Sequence, residues 1–348
     1  MGGGERGAGM KAAEDSPDPR DVAWHPRRRA TLYGHEAVEA RLLQAARSGK
    51  LHHAWLVTGP RGIGKATLAY RFARFLLQFP DARGRTSLQV ALELASARQI
   101  AASAHPDLLV IERAYDAKNK RIKSEIAVDD ARLAGNFFAL TAGAGGWRIA
   151  IVDAADDLNK ESANALLKIL EEPPSRSVFL LVSHRPGMLL RTIKSRCIHL
   201  ELAPLTLGDT LRVLHEVAET ADEDILRRAA ELSGGRPGRA LEFLDSKGAQ
   251  AFAAFLAKPK LTPAARIEIG NYFSGRETGD DFQIFCELLI AWTAAMAREA
   301  GLGGGGAALA RAHDGIAHSI REANALNLDR RQTAVEALTL LDEALRAA

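Results

Sequence analysis

The chain has 348 residues, 47% of them hydrophobic, which is material for about two domains with real cores and excludes a disordered polymer. Its 46 Lys and Arg against 43 Asp and Glu leave a formal net charge of +3, so it is no bulk polycation that coats nucleic acid. Two cysteines, Cys197 and Cys286, exclude a disulfide framework and a four-thiolate zinc site and point to a reducing, cytoplasmic setting. No apolar run reaches the roughly 18 residues of a bilayer span, and no secretory h-region is visible, so no membrane partner is expected.

In chain order, residues 1 to 23 are rich in Gly, Pro and charge and read as a disordered leader. Ala37 to Ser48 has helical spacing. Ala54-Trp55-Leu56-Val57-Thr58 is a short apolar run that reads as a buried strand, and Thr67 to Gln78 is a helix. Asp107 to Glu112 is a second strand, Asp129 or Asp130 caps a helix towards Leu140, and Trp147 to Val152 is a third strand. Asn159 to Leu170 is a helix, and Val178 to Val182 a fourth strand. Continuous apolar strands separated by helices predict an α/β domain with a parallel sheet covered on both faces, over residues 24 to 205. After Pro204 no strand is evident. Three short helical patterns span 206 to 247, around the turn Gly234-Gly235-Arg236-Pro237-Gly238. Residues 248 to 348 are again all-helical, broken at Lys258-Pro259, at Ser274-Gly275 and at Gly301 to Gly306.

The segment Gly59-Pro60-Arg61-Gly62-Ile63-Gly64-Lys65 follows a strand and opens a helix, the context of a phosphate-binding P-loop. Glycines let backbone N–H groups turn inward, the helix N-terminus adds its dipole, and Lys65 has the reach for β- and γ-phosphates. The full pattern ends in Ser or Thr, whose hydroxyl ligates Mg²⁺. Here that place is Ala66, and Thr67 lies about 100° further round the helix. A Gly-rich turn with no ligand is the alternative. Asp153 ends the strand Arg148 to Val152, where a carboxylate either holds Mg²⁺ through water or caps the next turn. An acid following it would polarise the attacking water, but the residue is Ala154. The metal and base groups of a nucleotide motor are both missing.

Asn164-Ala165-Leu166-Leu167-Lys168-Ile169-Leu170-Glu171-Glu172-Pro173-Pro174 resembles the clamp-loader family of AAA+ proteins. So do Leu51-His52-His53-Ala54-Trp55, His105-Pro106-Asp107, Ser195-Arg196-Cys197 and Ser233-Gly234-Gly235-Arg236-Pro237-Gly238. The resemblance covers roughly residues 30 to 245. It implies a P-loop AAA+ domain, a small helical lid and a C-terminal all-α collar that joins a hetero-pentamer with tau/gamma and delta subunits. It also implies that the complex places the beta sliding clamp on primed DNA during replication, with ATP as the nucleotide. Within such a ring the chain resembles the non-hydrolysing stator, and an ATP-hydrolysing motor subunit is the alternative. The polymerase reaction, a nucleotidyl transfer, would belong to the holoenzyme. Arg196, in the family's Ser-Arg-Cys triplet, is implied to point in trans at a neighbour's nucleotide as an arginine finger, the alternative being a surface arginine at a strand end.

This sequence also departs from the family. The interval Phe79 to Ala104, where members often carry a four-cysteine zinc module, contains no Cys, so no zinc is expected. Thr86 to Ala102 reads instead as an apolar helical stretch. The lid arginine of active members falls at Gly238, flanked by Arg236 and Arg239. Arg27-Arg28-Arg29 and Lys118 to Lys123 read as solvated charge, or as contacts to DNA or a partner. Phe282, Phe285, Leu288, Leu289 and Trp292 are read as collar residues for assembly, or else as that domain's own core.

Overall fold

The structure, a computed structural model, describes residues 22 and 24–347 apart from 120, 140–145, 219–222, 258–260, 276–278 and 302–305. Of the expected leader only Val22 is described. The Lys258-Pro259 break, Lys120 and most of the Gly301-to-Gly306 stretch lie outside the described residues. The chain divides into two compact units, Met1–Pro204 and Leu205–Ala348.

The first unit runs α1 (Glu36–Arg47), β1 (Ala54–Thr58), α2 (Lys65–Gln78), α3 (Ala95–Ala101), β2 (Leu108–Glu112), β3 (Tyr115–Asp116), β4 (Arg121–Ile122) and α4 (Val128–Ala139). It continues through β5 (Arg148–Asp153), α5 (Lys160–Glu171), β6 (Ser177–Ser183), α6 (Arg191–Lys194) and β7 (Ile198–Glu201). Five parallel strands form one sheet in the order β2-β5-β6-β1-β7. Every residue of β1 and β6 is buried, as uninterrupted apolar runs require of central strands. Leu56, Val152, Phe179 and Leu181 face α4 and α5, where Phe138, Leu166 and Leu170 complete one core. Successive residues of a strand point to opposite faces. The second face is left to α2, which packs against β1, β5 and β6 and buries Leu68, Phe72 and Phe75.

Several readings are corrected here. The fifth strand, β7, was not expected; its Ile-His-Leu-Glu alternation is the mark of an edge strand exposed on one face. Thr86 to Ala102 is helical only over α3, and its preceding stretch is irregular with Leu88 and Val90 buried. Arg27, Arg28 and Arg29 are half-buried rather than solvated. Arg27 Nε donates to the Ala101 carbonyl at 3.0 Å, and the carbonyls of Arg27 and Arg29 accept from Arg74 at 3.0 and 3.1 Å. Arg74 itself is 1% exposed, and burial lowers its pKa to about 10.

The second unit consists of α7 (Leu207–Val217), α8 (Glu223–Ser233), α9 (Pro237–Asp245), α10 (Lys247–Ala257), α11 (Pro263–Gly270), α12 (Gly279–Gly301), α13 (Gly306–Leu326) and α14 (Arg330–Ala347). Thr206 caps α7 through the Asp209 N–H, and Pro237 opens α9 after the glycine turn. Phe255, Phe273, Phe282, Phe285, Leu289 and Trp292 share one core, with Phe255 and Trp292 edge to face at 5.1 Å. The apolar residues read as assembly contacts therefore fill the unit's own interior: Phe285 and Leu289 are fully buried and Trp292 is 9% exposed.

Candidate functional site

Ligands of open α/β sheets bind beyond the carboxyl ends of the strands, where neighbouring strands lead into different connections. The strand order puts β6 between β1 and β5, so the P-loop after Thr58, Ser183 and Asp153 end side by side. The loop's glycines adopt left-handed backbone, with φ of 137° at Gly59 and 102° at Gly64. A Cβ at Gly59 would collide with the Leu202 carbonyl and with Ile63. One at Gly64 would sit 3.0 Å from Leu32. Buried His35 braces the loop from outside, its Nε2 2.9 Å from the Ile63 carbonyl. The first helical bond of α2 runs from the Leu68 N–H to the Gly64 carbonyl, so the amides of Lys65, Ala66 and Thr67 have no helical acceptor. Such a turn has the backbone geometry that can cradle an anion.

Lys65 is turned into that cradle. It is 3% exposed, and its ammonium donates to the carbonyls of Gly59 at 2.7 Å and Pro60 at 2.6 Å. Burial lowers its pKa to about 8, against the raising influence of Asp153 and Asp156 and with the help of Arg61. Asp153 stands at the end of β5 as expected, and Ala154 beside it is 4% exposed.

Two residues near the loop were not singled out from the sequence. Asp156 ties the segment after β5 to the end of β6. Its carboxylate accepts from Ser183 Oγ at 2.7 Å and from the Arg185 N–H at 3.2 Å, and also from the His184 N–H. His184 has its pKa pushed down to about 4, first by burial and then by Lys65, and its Nδ1 has no partner among the described residues. A single Asp or His past a strand carries no sequence signal, because its meaning depends on which strands become neighbours.

The polyphosphate part of the site fits the residues present: glycine turns, orphan amides and Lys65. The Mg²⁺ part does not, since Ala66 and Ala154 carry no ligand or base. Among the described residues no group of three His, Cys, Asp or Glu side chains could hold a metal ion.

Arg196 lies between α6 and β7, its side chain 32% exposed. One guanidinium nitrogen donates to the Glu171 carboxylate at 2.7 Å and another to the Thr192 carbonyl at 2.9 Å. Next to it, burial pushes the Cys197 thiol up to about 12, so that residue stays a protonated, unreactive thiol. In the second unit neither arginine beside Gly238 is idle. Arg236 Nε donates to the Ser233 carbonyl at 2.7 Å, and Arg239 pairs with Glu287 and lies 5.1 Å over the Phe243 ring.

Comparison with known proteins gives this geometry a family. The profile described as DNA polymerase III, delta subunit, matches residues 34–206. The DNA polymerase III subunit delta' of Pseudomonas aeruginosa is 39% identical over 187 residues, which is 53% of either chain. Through residues 34–206 the chain is thus similar to DNA polymerase III delta and delta' subunits. A second family member, subunit delta' of Escherichia coli, is 32% identical over 213 residues, 61% of this chain and 60% of its own. The chain thus spans about half to three fifths of the length of these relatives. A DNA polymerase III gamma subunit-related protein from Thermotoga maritima aligns with a TM-score of 0.46 at 18% identity, over 88% of this chain and 98% of its own. The clamp-loader match holds the P-loop, Asp153 and Arg196 together in one segment. No helix among the described residues is long and apolar enough to cross a membrane.

Proposed function

We propose that this chain is a delta'-type stator of a DNA polymerase III clamp loader. In this reading it assembles with tau/gamma and delta subunits into a hetero-pentamer and helps place the beta sliding clamp on primed DNA. It supplies Arg196 in trans and does not hydrolyse ATP itself. The three-domain division goes with the proposal: an AAA+ domain at 24–205, a lid at 206–247 and an oligomerising collar at 248–348.

The observation that carries it is the pair Ala66 and Ala154 in an otherwise formed P-loop site. Phosphoryl transfer depends on positioning and on neutralising charge at the γ-phosphate. Here the cradle and Lys65 can hold phosphate, while the hydroxyl for Mg²⁺ and the acid for water are absent. The same alanines weigh against the motor reading, as does the engagement of Arg236 and Arg239 within their own unit. Arg196 supports the trans role because it is accessible and fixed at its base, with Ile193 buried one turn before it.

The test is a reconstituted five-subunit loader in which Arg196→Ala is the sole change. Folding and assembly should persist, because a third of the side chain is exposed. The DNA- and clamp-stimulated ATPase should fall, and clamp loading with it. A trans arginine is worth on the order of 10³-fold in isolated systems, and the loss should be smaller where several sites contribute. Arg196→Lys should recover little, since an ammonium lacks the planar fork of guanidinium. Unchanged ATPase and loading rates would make Arg196 a bystander.

A further inference from the structure

We propose that Glu171 is the positioning residue of Arg196, an inference that rests on the trans role of Arg196 just proposed. The two side chains come from different elements. Glu171 is the last residue of α5, and Arg196 follows α6. Both bases are fixed in one core, where Leu170, Leu189 and Ile193 pack together. The guanidinium bridges the elements, with Glu171 on one nitrogen at 2.7 Å and the Thr192 carbonyl on another at 2.9 Å. A guanidinium has five N–H donors. Two of them are engaged and three keep their capacity for an acceptor from outside.

The placement of Glu171 is unfavourable for α5 itself, because an acid at a helix C-terminus meets the negative end of the dipole. Pro173-Pro174 already end the helix, so the carboxylate is not needed as a stop signal. Nor does the pair do much for stability. With the two side chains 32% and 49% exposed, it is a surface ion pair screened by water and salt. What it does is hold a long, flexible side chain in one orientation before a phosphate arrives. Charge stabilisation works best from groups that need no reorganisation at the moment of reaction. Glu171 therefore acts through Arg196 and never touches the neighbour's nucleotide.

The experiment is a double-mutant cycle in the reconstituted loader with ATP, comparing wild type, Arg196→Ala, Glu171→Ala, Glu171→Gln and the double alanine variant. Glu171→Ala should lower the stimulated kcat by about threefold or more, with the KM for ATP moving by less than about twofold, the pattern of a lost transition-state interaction. Glu171→Gln keeps an oxygen that accepts from the guanidinium and should regain part of the rate. The double variant should be no slower than Arg196→Ala alone, because a residue acting through Arg196 has nothing left to act on. A slow Arg196→Ala beside a wild-type rate for both Glu171 variants overturns the inference and leaves the trans arginine standing. A faster Glu171→Ala overturns it as well, by making the carboxylate a restraint. Losses that multiply in the double variant place the action of Glu171 elsewhere. No effect of Arg196→Ala at all is the failure of the underlying reading. Should Glu171→Ala fail to assemble, the near-isosteric Glu171→Gln decides alone: kcat at the wild-type value overturns the inference, and a reduced kcat absent from the Arg196→Ala background upholds it.

Discussion

Lys65 donates its ammonium to the carbonyl of Pro60, five residues back in its own loop, at 2.6 Å. A phosphate entering the cradle must take Lys65 from that carbonyl and from Gly59. Burial lowers the Lys65 pKa to about 8 from its ordinary 10.5. The folded chain therefore binds this proton less tightly than the unfolded chain does. The charged lysine costs stability below pH 8, and that cost fades as pH rises from 8 towards 10.5. An anion in the cradle favours the charged form, so binding should draw in a proton near pH 8 and above. Calorimetric titration with ATP at pH 7 and pH 9.5, in buffers of different ionisation enthalpy, should show weaker binding and net proton uptake at the higher pH. Equal affinity at both would separate Lys65 from the bound phosphate, as would Lys65→Ala with affinity intact.

The isolated chain should have negligible ATPase activity, with or without DNA. Turnover of about one per second, within the ordinary enzyme range, would contradict the roles given to Ala66 and Ala154. Binding should also respond weakly to Mg²⁺. Ala66→Thr should introduce Mg²⁺ dependence, since it restores a hydroxyl at the first turn of α2, where the full P-loop pattern has one. A nucleotide titration at zero and millimolar Mg²⁺ reads both effects.

Arg74→Ala should destabilise the first unit by about 2–4 kcal/mol, because it removes the buried guanidinium that donates to the carbonyls of Arg27 and Arg29 and opens a gap beneath them. The arginine is 1% exposed and bonds to both carbonyls, so it acts as a peg for the segment before α1. Limited proteolysis should then cut between Val22 and Thr31 faster than it does in the wild type. A wild-type cleavage pattern would mean that other contacts hold the segment.

Gly248→Ala should lower the melting temperature of the second unit. A Cβ there would overlap the Asp281 carbonyl, where α10 and α12 approach closely and the Asp281 side chain accepts from the Lys247 N–H at 2.9 Å. Overpacking of this kind costs about 1–3 kcal/mol. Leu289→Ala, at a fully buried site, should cost about 2–5 kcal/mol. Both should act as folding defects. Circular dichroism of the separate variants should show lost helical stability at concentrations where assembly plays no part. A Leu289→Ala chain that is fully stable yet fails to assemble would return that residue to an interface.

The sequence by itself determined what depends on near neighbours in the chain. Apolar runs marked β1, β2, β5 and β6, helical spacing marked α1, α2 and α5, and the glycines marked the turn between β1 and α2. The absence of a hydroxyl at Ala66 and of an acid at Ala154 was equally plain, because a missing functional group needs no tertiary context. Tertiary structure decided what depends on residues distant in the chain. Four-residue β7 carries too short an alternation to stand out until β1 offers it an edge. Arg27 and Arg29 looked like surface charge because their carbonyls, not their side chains, meet Arg74 from α2 some 45 residues later. Phe285 and Trp292 could have faced a partner or a core, and only the packing of α10, α12, α13 and α14 buried them. The pairing of Glu171 with Arg196 spans 25 residues and exists because both ends are pinned to the same core, a relation that no local pattern encodes.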